Sequence, residues 1–270
     1  MASSSDCNTT PRRGFVPPQD EAERFLFRRV EELARLAEAR GIPRATGFLS
    51  DREQVLAEAA LNKAGCGCGR FDGGYPGAER KVLCLEPPDS YELYPLAALK
   101  LTALSKDLPG HRDYLGAVLG LGLERACLGD LLPDPGNPAV FYAFVLAEQA
   151  DFIAAELTSA GRSPVRAEPA DPAAIPPAAL AEPERALMEA TVASLRADAV
   201  LGAMLHTSRS LAAAAIAAGK VELNHLPLRS AHEPVFAGDL FTVRGAGRWR
   251  VKAIGGKSRK DRIFITFFQY

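Results

Sequence analysis

Tryptophan, methionine, histidine and cysteine are all scarce in this chain: one Trp, three Met, four His and five Cys in 270 residues. An odd, sparse set of cysteines argues against a disulfide scaffold and fits a reducing, cytoplasmic compartment. No run of eighteen apolar residues occurs, so no membrane-spanning helix is predicted. The opening MASSSDCNTTPRRGFVPP lacks the apolar core of a signal peptide and reads as a disordered lead-in over residues 1–20. Net charge is almost absent too, at −1.

That neutrality is an average of two unlike parts. Residues 194–270 hold 12 Lys and Arg against 5 Asp and Glu, a net of +7; with the whole chain at −1, residues 1–193 carry −8. A basic segment joined to an acidic body points to a polyanionic partner for the segment. Arg244, Arg248, Arg250, Lys252, Lys257, Arg259, Lys260 and Arg262 lie close together with only Asp261 opposing them. Arg248, Arg250 and Lys252 alternate with Trp249, Val251 and Ala253. A strand there would set three cations on one face and apolar groups on the other. An ordinary solvated strand face is the competing reading, and the excess of eight cations over one acid weighs against it.

The same segment opens with two short helical patterns. Val200, Leu201, Met204 and Leu205 recur at helical spacing, and an alanine-rich run ends at Ile216. Ser208 stands where an N-cap belongs, and Gly219 where a left-handed cap residue is wanted. Short strands are predicted over Lys220–Asn224, Leu240–Arg244 and Trp249–Ile254.

Upstream, residues 20–40 form a predicted helix with Phe25, Val30, Leu33, Leu36 and Ala37 as its apolar stripe. A second helix is expected over Phe48–Lys63, then a strand into a turn at Phe71–Gly74 and a buried strand at Lys81–Leu85. From Tyr91 onward the expected order is strand Leu93–Leu104, helix His111–Leu121, strands Leu128–Leu132 and Ala139–Leu146, helix Gln149–Ala160 and strand Pro164–Ala167. That β-α-β-β-α-β order is ferredoxin-like. Phe141, Tyr142 and Phe144 read as core aromatics, because the Lys/Arg-Gly start of a base-stacking signature is missing. Residues 168–183 are rich in Pro and Ala and read as a linker; a helix is expected from Pro183 to Ser194. The fold class is α+β. Its parts are an N-terminal subdomain at 21–89, a ferredoxin-like (RRM-like) plait at 90–170, a linker and connecting helix at 171–193, and a basic module at 194–270.

Two resemblances cover these blocks. Arg196, Asp198, Ser208-Arg209-Ser210, Gly219-Lys220-Val221, Asn224 and Gly238-Asp239 resemble the S4-like RNA-binding domain, which takes structured ribosomal or transfer RNA. Leu211 and the following alanines, and His225-Leu226-Pro227, depart from that pattern. FLSDREQ (Phe48–Gln54), RFDGGYPGAERK (Arg70–Lys81), HRDYLGAVLGLGLER (His111–Arg125) and the closing GRWRVKAIGGKSRKDRIFITFFQY are similar to the YlmH family. That resemblance runs from about Phe25 to Tyr270. It implies a bacterial cytoplasmic protein of ribosome-associated quality control, RqcP-like, binding the large ribosomal subunit and tRNA in rescue of stalled nascent chains.

The expected RNA-binding residues are Arg196, Ser208, Arg209, Ser210, Lys220, Asn224, Arg244, Arg248, Arg250, Lys252, Lys257, Arg259 and Lys260. The cations would neutralise phosphates, while Ser208, Ser210 and Asn224 would shape the helix-pair turn and hydrogen-bond phosphate or 2′-hydroxyl groups. No catalytic residue, metal or cofactor is expected, and neither a membrane nor a small-molecule substrate. His111-Arg112-Asp113 lacks the Asn and phosphate loop a kinase needs. Cys66 and Cys68, with Cys84 distant, read as a glycine-rich loop rather than as a metal pair. The alternative functions are an RNA-modifying enzyme of the pseudouridine synthase or methyltransferase class with an S4-like targeting domain, and a protein-interaction body tethered to RNA.

Overall fold

A computed structural model describes residues 15–181 and 185–270, so most of the expected lead-in lies outside the described residues. Among them the chain is mixed α/β, with seven α-helices and three sheets. The packing divides it into two compact units, residues 16–181 and residues 185–270.

The first unit begins with α1 (Glu21–Arg40), β1 (Arg44–Ala45), α2 (Asp51–Ala64), β2 (Gly69–Asp72) and β3 (Val82–Leu85). The Asp20 carboxylate caps α1 by accepting from the Glu23 amide at 2.8 Å, and left-handed Gly41 ends the helix. α1 buries Val30, Leu33, Ala34 and Ala37. Phe25 is not on that stripe: it is 64% exposed. At 3.6 residues per turn, five positions before Val30 is about 140° away around the helix. α2 starts at Asp51 rather than Phe48. Ser50 and Glu53 form a capping box there, while the Phe48 and Leu49 amides donate to Ala126 and Lys81 carbonyls in extended backbone. Arg52 is nearly buried, with its guanidinium on the Glu23 carboxylate at 2.8 Å and on the Val16 and Pro17 carbonyls.

Next come β4 (Leu96–Ala103), α3 (His111–Gly120), β5 (Leu128–Asp134), β6 (Asn137–Leu146), α4 (Ala147–Glu156), β7 (Ser159–Ala160), β8 (Ser163–Ala170) and the short α5 (Pro177–Leu180). The sheet runs β5-β6-β4-β8-β7 with antiparallel neighbours. β6 is buried on both faces. Phe141, Ala143 and Val145 pack with Tyr114 and Val118 of α3 and Ile153 of α4. Val140, Tyr142 and Phe144 pack the other way, against Phe48, Val82, Ile175 and Ala179. All three aromatics of β6 are core residues. The helix expected to reach Ala160 stops at Glu156, because Gly161 (φ 58°) serves the β7–β8 turn instead of a helix cap. The proline-rich stretch is not a bare linker: β8 extends to Ala170, and Ile175 and Ala179 are buried.

One carboxylate ties this unit together. Asp130 on β5 accepts from the Tyr75 hydroxyl at 2.8 Å and the Glu79 and Arg80 amides at 2.7 and 3.2 Å. The glycine-rich loop before β3 is thus pinned to the larger sheet. Arg80 then reaches the Phe48 and Leu128 carbonyls at 2.8 and 3.2 Å. Burial lowers its guanidinium's pKa; Arg125 beside it is pushed down to about 10, by burial first and by Arg80 second.

The second unit holds β9 (Met188–Val192), α6 (Ala197–Met204), α7 (Arg209–Ala217), β10 (Val221–Leu223), β11 (Leu226–Pro227), β12 (Leu240–Val243), β13 (Gly247–Lys257) and β14 (Ile263–Gln269). Its sheet runs β11-β10-β12-β13-β14-β9. Residues 183 and 184 of the expected connecting helix lie outside the described residues; Met188–Val192 is a strand. Met188, Ala190 and Val192 alternate with Glu189 and Thr191, a period of two that suits an edge strand beside β14. The helices close over the sheet through Val200, Leu201, Met204, Ala212 and Ile216, which meet Phe241, Trp249, Val251 and Phe267.

Removing the Asp130 carboxylate strips acceptors from three donors at once. Asp130→Ala is expected to destabilise the first unit by about 3 kcal/mol, and Asp130→Asn by roughly half of that, since one oxygen still accepts. Chemical denaturation followed by circular dichroism checks this; an Asp130→Ala transition superimposable on the parent would contradict it.

Candidate nucleic-acid interface

α6 and α7 bend by 110° across a tight turn. Gly202 permits it: a Cβ there would lie 3.2 Å from the Thr207 carbonyl, which explains the small residue inside the first helix. The Thr207 amide donates back to the Gly202 carbonyl at 2.8 Å. The Ser208 hydroxyl then caps α7 by accepting from the Leu211 amide at 3.2 Å, and contacts the Ser210 hydroxyl at 2.9 Å. Gly219 follows α7 at φ 65° and turns the chain into β10.

Asp198 organises this corner. Its side chain is 8% exposed, yet Arg196 and Arg209 both reach it, at 3.1 and 2.9 Å. The two arginine side chains stay 37% and 50% exposed, so a buried anion holds two cations that remain open to solvent. Arg196 also contacts the His232 ring. Burial alone would raise the Asp198 pKa; the hydrogen bonds from Arg209 and Arg196 outweigh it and hold the carboxyl below the ordinary aspartate range.

Asn224 is bonded into the strands that follow the helix pair. It adopts φ 51°, its amide nitrogen donates to Asp239 at 2.7 Å, and its amide oxygen accepts from the Leu240 backbone at 2.8 Å. Asp239, 3% exposed, also accepts from the Phe236 amide at 2.9 Å. Both ends of the Asn224 side chain are committed to joining β10 to β12.

The remaining cations form separate groups. Lys220 and Arg244 are exposed neighbours at the head of the β10–β12 pair, where the Arg244 amide donates to the Lys220 carbonyl at 2.9 Å. On β13, Trp249 and Val251 enter the core while Arg248 and Arg250 face the other way. The expected alternation ends there. The β13–β14 register slips between Val251 and Ala253, and both Lys252 and Ala253 are exposed. Lys257 pairs with Asp261 at 2.7 Å beside exposed Arg259 and Lys260 at the β13–β14 turn. Arg262 is fixed on Thr191 of β9 at 2.9 Å.

Three residues missed from the sequence, Arg185, Phe268 and Tyr270, complete the β13 group. Tyr270 lies under three guanidiniums: Arg185 at 3.9 Å from its ring centre, Arg248 at 4.8 Å and Arg250 at 5.7 Å. Phe268 lies 5.3 Å from Tyr270, with Arg185 over it as well. Cation–π attraction offsets part of the repulsion among these arginines. The missed signal is parity: Arg250 pairs with Phe268 across the ladder, and Tyr270 continues the same face of the chain.

Residues 104–173 match the family model described as a putative RNA-binding domain in YlmH. The match covers most of the five-stranded sheet and its two helices, in the first unit. It defines the class: a mixed α/β protein carrying an RNA-binding domain of this type. "Ribosome-associated protein quality control protein P2" of Bacillus subtilis (strain 168) is 34% identical over 251 residues, covering 91% of this chain and 94% of that protein. This chain belongs to the YlmH family. Among solved structures, "Cell division protein ylmH from Streptococcus pneumoniae" matches with a TM-score of 0.48 and 18% identity, over 58% of this chain and 96% of that one.

The low Asp198 pKa has a defined sign. The folded carboxyl binds its proton more weakly than the unfolded one, so its stabilisation is complete above the unfolded value and is lost as pH falls through the folded value. With an unfolded aspartate near about 3.9, the loss begins below about pH 5. Asp198→Asn is expected to lower the melting temperature at pH 7 and to flatten its fall between about pH 5 and pH 3. Parallel pH profiles for parent and variant would contradict this assignment.

Proposed function

We propose that this chain is a non-enzymatic RNA-binding protein that binds rRNA and tRNA on the large ribosomal subunit, in rescue or quality control of stalled ribosomes. In this reading residues 90–170 are a ferredoxin-like plait: the strand order β5-β6-β4-β8, antiparallel throughout, is the order such a plait requires. Residues 194–270 are an S4-like module, whose helix pair and following loop meet RNA. The name of the Bacillus subtilis relative and its near full-length match support the ribosomal setting.

The observation that carries the proposal is the Asp198 arrangement. Two arginines open to solvent are held by one buried carboxylate beside the N-terminus of α7. Backbone amides at a helix start already favour an anion, and Arg209 adds a fixed guanidinium there. Phosphate contacts set position and most of the affinity, and the Tyr270 arginines extend the cationic surface. Ser208 and Ser210 shape the turn, and Lys220, Arg244, Lys252, Lys257, Arg259 and Lys260 supply further phosphate contacts. The mechanism is occupancy: the protein holds an RNA conformation without bond chemistry. RNA contact is shared with the first unit, in line with the family model matched there.

Two phosphate contacts account for a slope change of about 1.4–1.8 in log Kd against log salt. Arg248→Ala with Arg250→Ala is expected to reduce the slope by that amount on every RNA tested, leaving the contribution of the first unit. Arg209→Lys is expected to weaken ribosome co-sedimentation by about 1–2 kcal/mol, because an ammonium cannot contact Asp198 and a phosphate in one plane. An unchanged salt slope in the double variant, or normal co-sedimentation by folded Arg209→Lys, would overturn these roles.

A further inference from the structure

The loop from α2 to β2 reads Gly65-Cys66-Gly67-Cys68-Gly69. Sequence spacing gives two sulfur donors, too few for a closed metal site. The fold brings a third donor from 28 residues upstream: the Glu38 carboxylate, in the last turn of α1. Its oxygen and the two Sγ atoms all lie within 4.8 Å of one another, with the sulfurs 2.8 Å apart. Cys84 belongs to a different packing cluster and does not join them.

We propose that Glu38, Cys66 and Cys68 form a binding site for a thiophilic divalent cation of the zinc class. The donor set selects the ion. Calcium and magnesium take oxygen ligands, whereas zinc accepts thiolate sulfur and carboxylate oxygen together. Glu38 and the Cys68 side are open to solvent, so water completes a tetrahedron.

The loop is anchored at both ends and yields in the middle. The Cys66 amide donates to the Leu61 carbonyl at 3.1 Å, and the Cys68 carbonyl accepts from the Glu86 amide at 2.8 Å. Gly69 is packed so closely that a Cβ would sit 2.4 Å from Leu61 Cδ1, whereas Gly67 has open space around it. Two sulfurs on one tetrahedral zinc, each bonded at about 2.3 Å, stand roughly 3.8 Å apart. A shift of about 1 Å, taken up at Gly67 and the cysteine side chains, opens the present contact to that spacing. The position of Glu38 adds a reason for a cation. A carboxylate in the last turn of a helix faces the negative end of the helix dipole, and a bound cation offsets that. The ion would clamp the end of α1 to the start of β2.

The test uses the full-length reduced chain titrated with cobalt(II) as the spectroscopic probe, then with zinc. The expected result is a thiolate-to-cobalt charge-transfer band that saturates at one equivalent and is bleached by zinc. It persists in Cys84→Ser and Cys127→Ser and is lost in Cys68→Ser and in Cys66→Ser with Cys68→Ser. Glu38→Gln, an exposed change that leaves the core untouched, is expected to weaken cobalt binding at least tenfold. Zinc should raise the melting temperature of the parent and not of the double cysteine variant. No band at stoichiometric cobalt, a band that survives loss of both cysteines, or equal affinity in Glu38→Gln would each overturn the proposal.

Discussion

A buried carboxylate between two half-exposed arginines is the constraint on which the second unit's chemistry depends. Asp198 loses hydration when α6 packs on the sheet, and that loss is unfavourable unless cations replace the water. Arg196 at the helix start and Arg209 across the 110° bend supply them. The geometry of the helix pair and the position of its cations are therefore one problem with one solution. Neither arginine is free to wander, so little conformational entropy remains to be lost when an anion arrives. At Asn224 and Asp239 a second buried carboxylate, met by an amide side chain and a backbone N–H, helps fix the strand that follows the pair.

The first unit uses the same device for a different purpose. Asp130 gathers a loop, and Arg80 and Arg52 each reach main-chain carbonyls from positions largely removed from solvent. These groups knit segments far apart in sequence. The basic excess sits in residues 194–270 and the acidic excess before them. Such a division directs a polyanion to the second unit, while the RNA-binding family model matches the first. On the proposed function, the two findings together give the protein more than one surface for RNA.

What was legible in the sequence was local. Ser208 as a cap and Gly219 as a left-handed turn follow from the chemistry of single positions, and both stand where expected. Four of the five strands of the larger first-unit sheet stand within a few residues of their expected places, whereas β7 (Ser159–Ala160) falls inside the expected helix. Edge strand β9 was hidden, since the Pro-Glu start upstream of Met188-Glu-Ala-Thr-Val imitates a helix entry. Phe25 was assigned to a buried stripe on type alone and lies off it. The cationic count of the last strands was plain, but its arrangement was not. One slip of register after Val251 ended the alternation, and Tyr270 drew in Arg185 from 85 residues away. Glu38 beside Cys66 and Cys68 was invisible for the same reason: a long-range contact leaves no mark on spacing.

The most direct test of the central claim, that the second unit meets ribosomal RNA through its fixed cations, is crosslink mapping on intact particles. Full-length protein would be bound to large ribosomal subunits, irradiated, and digested, and the RNA-linked peptides identified by mass spectrometry. The account predicts links concentrated in peptides containing Arg196, Arg209 and the strand from Arg248 to Lys252, with weaker ones in residues 104–173. Links confined to residues 16–181, with the second unit unmodified on the same particles, would contradict it.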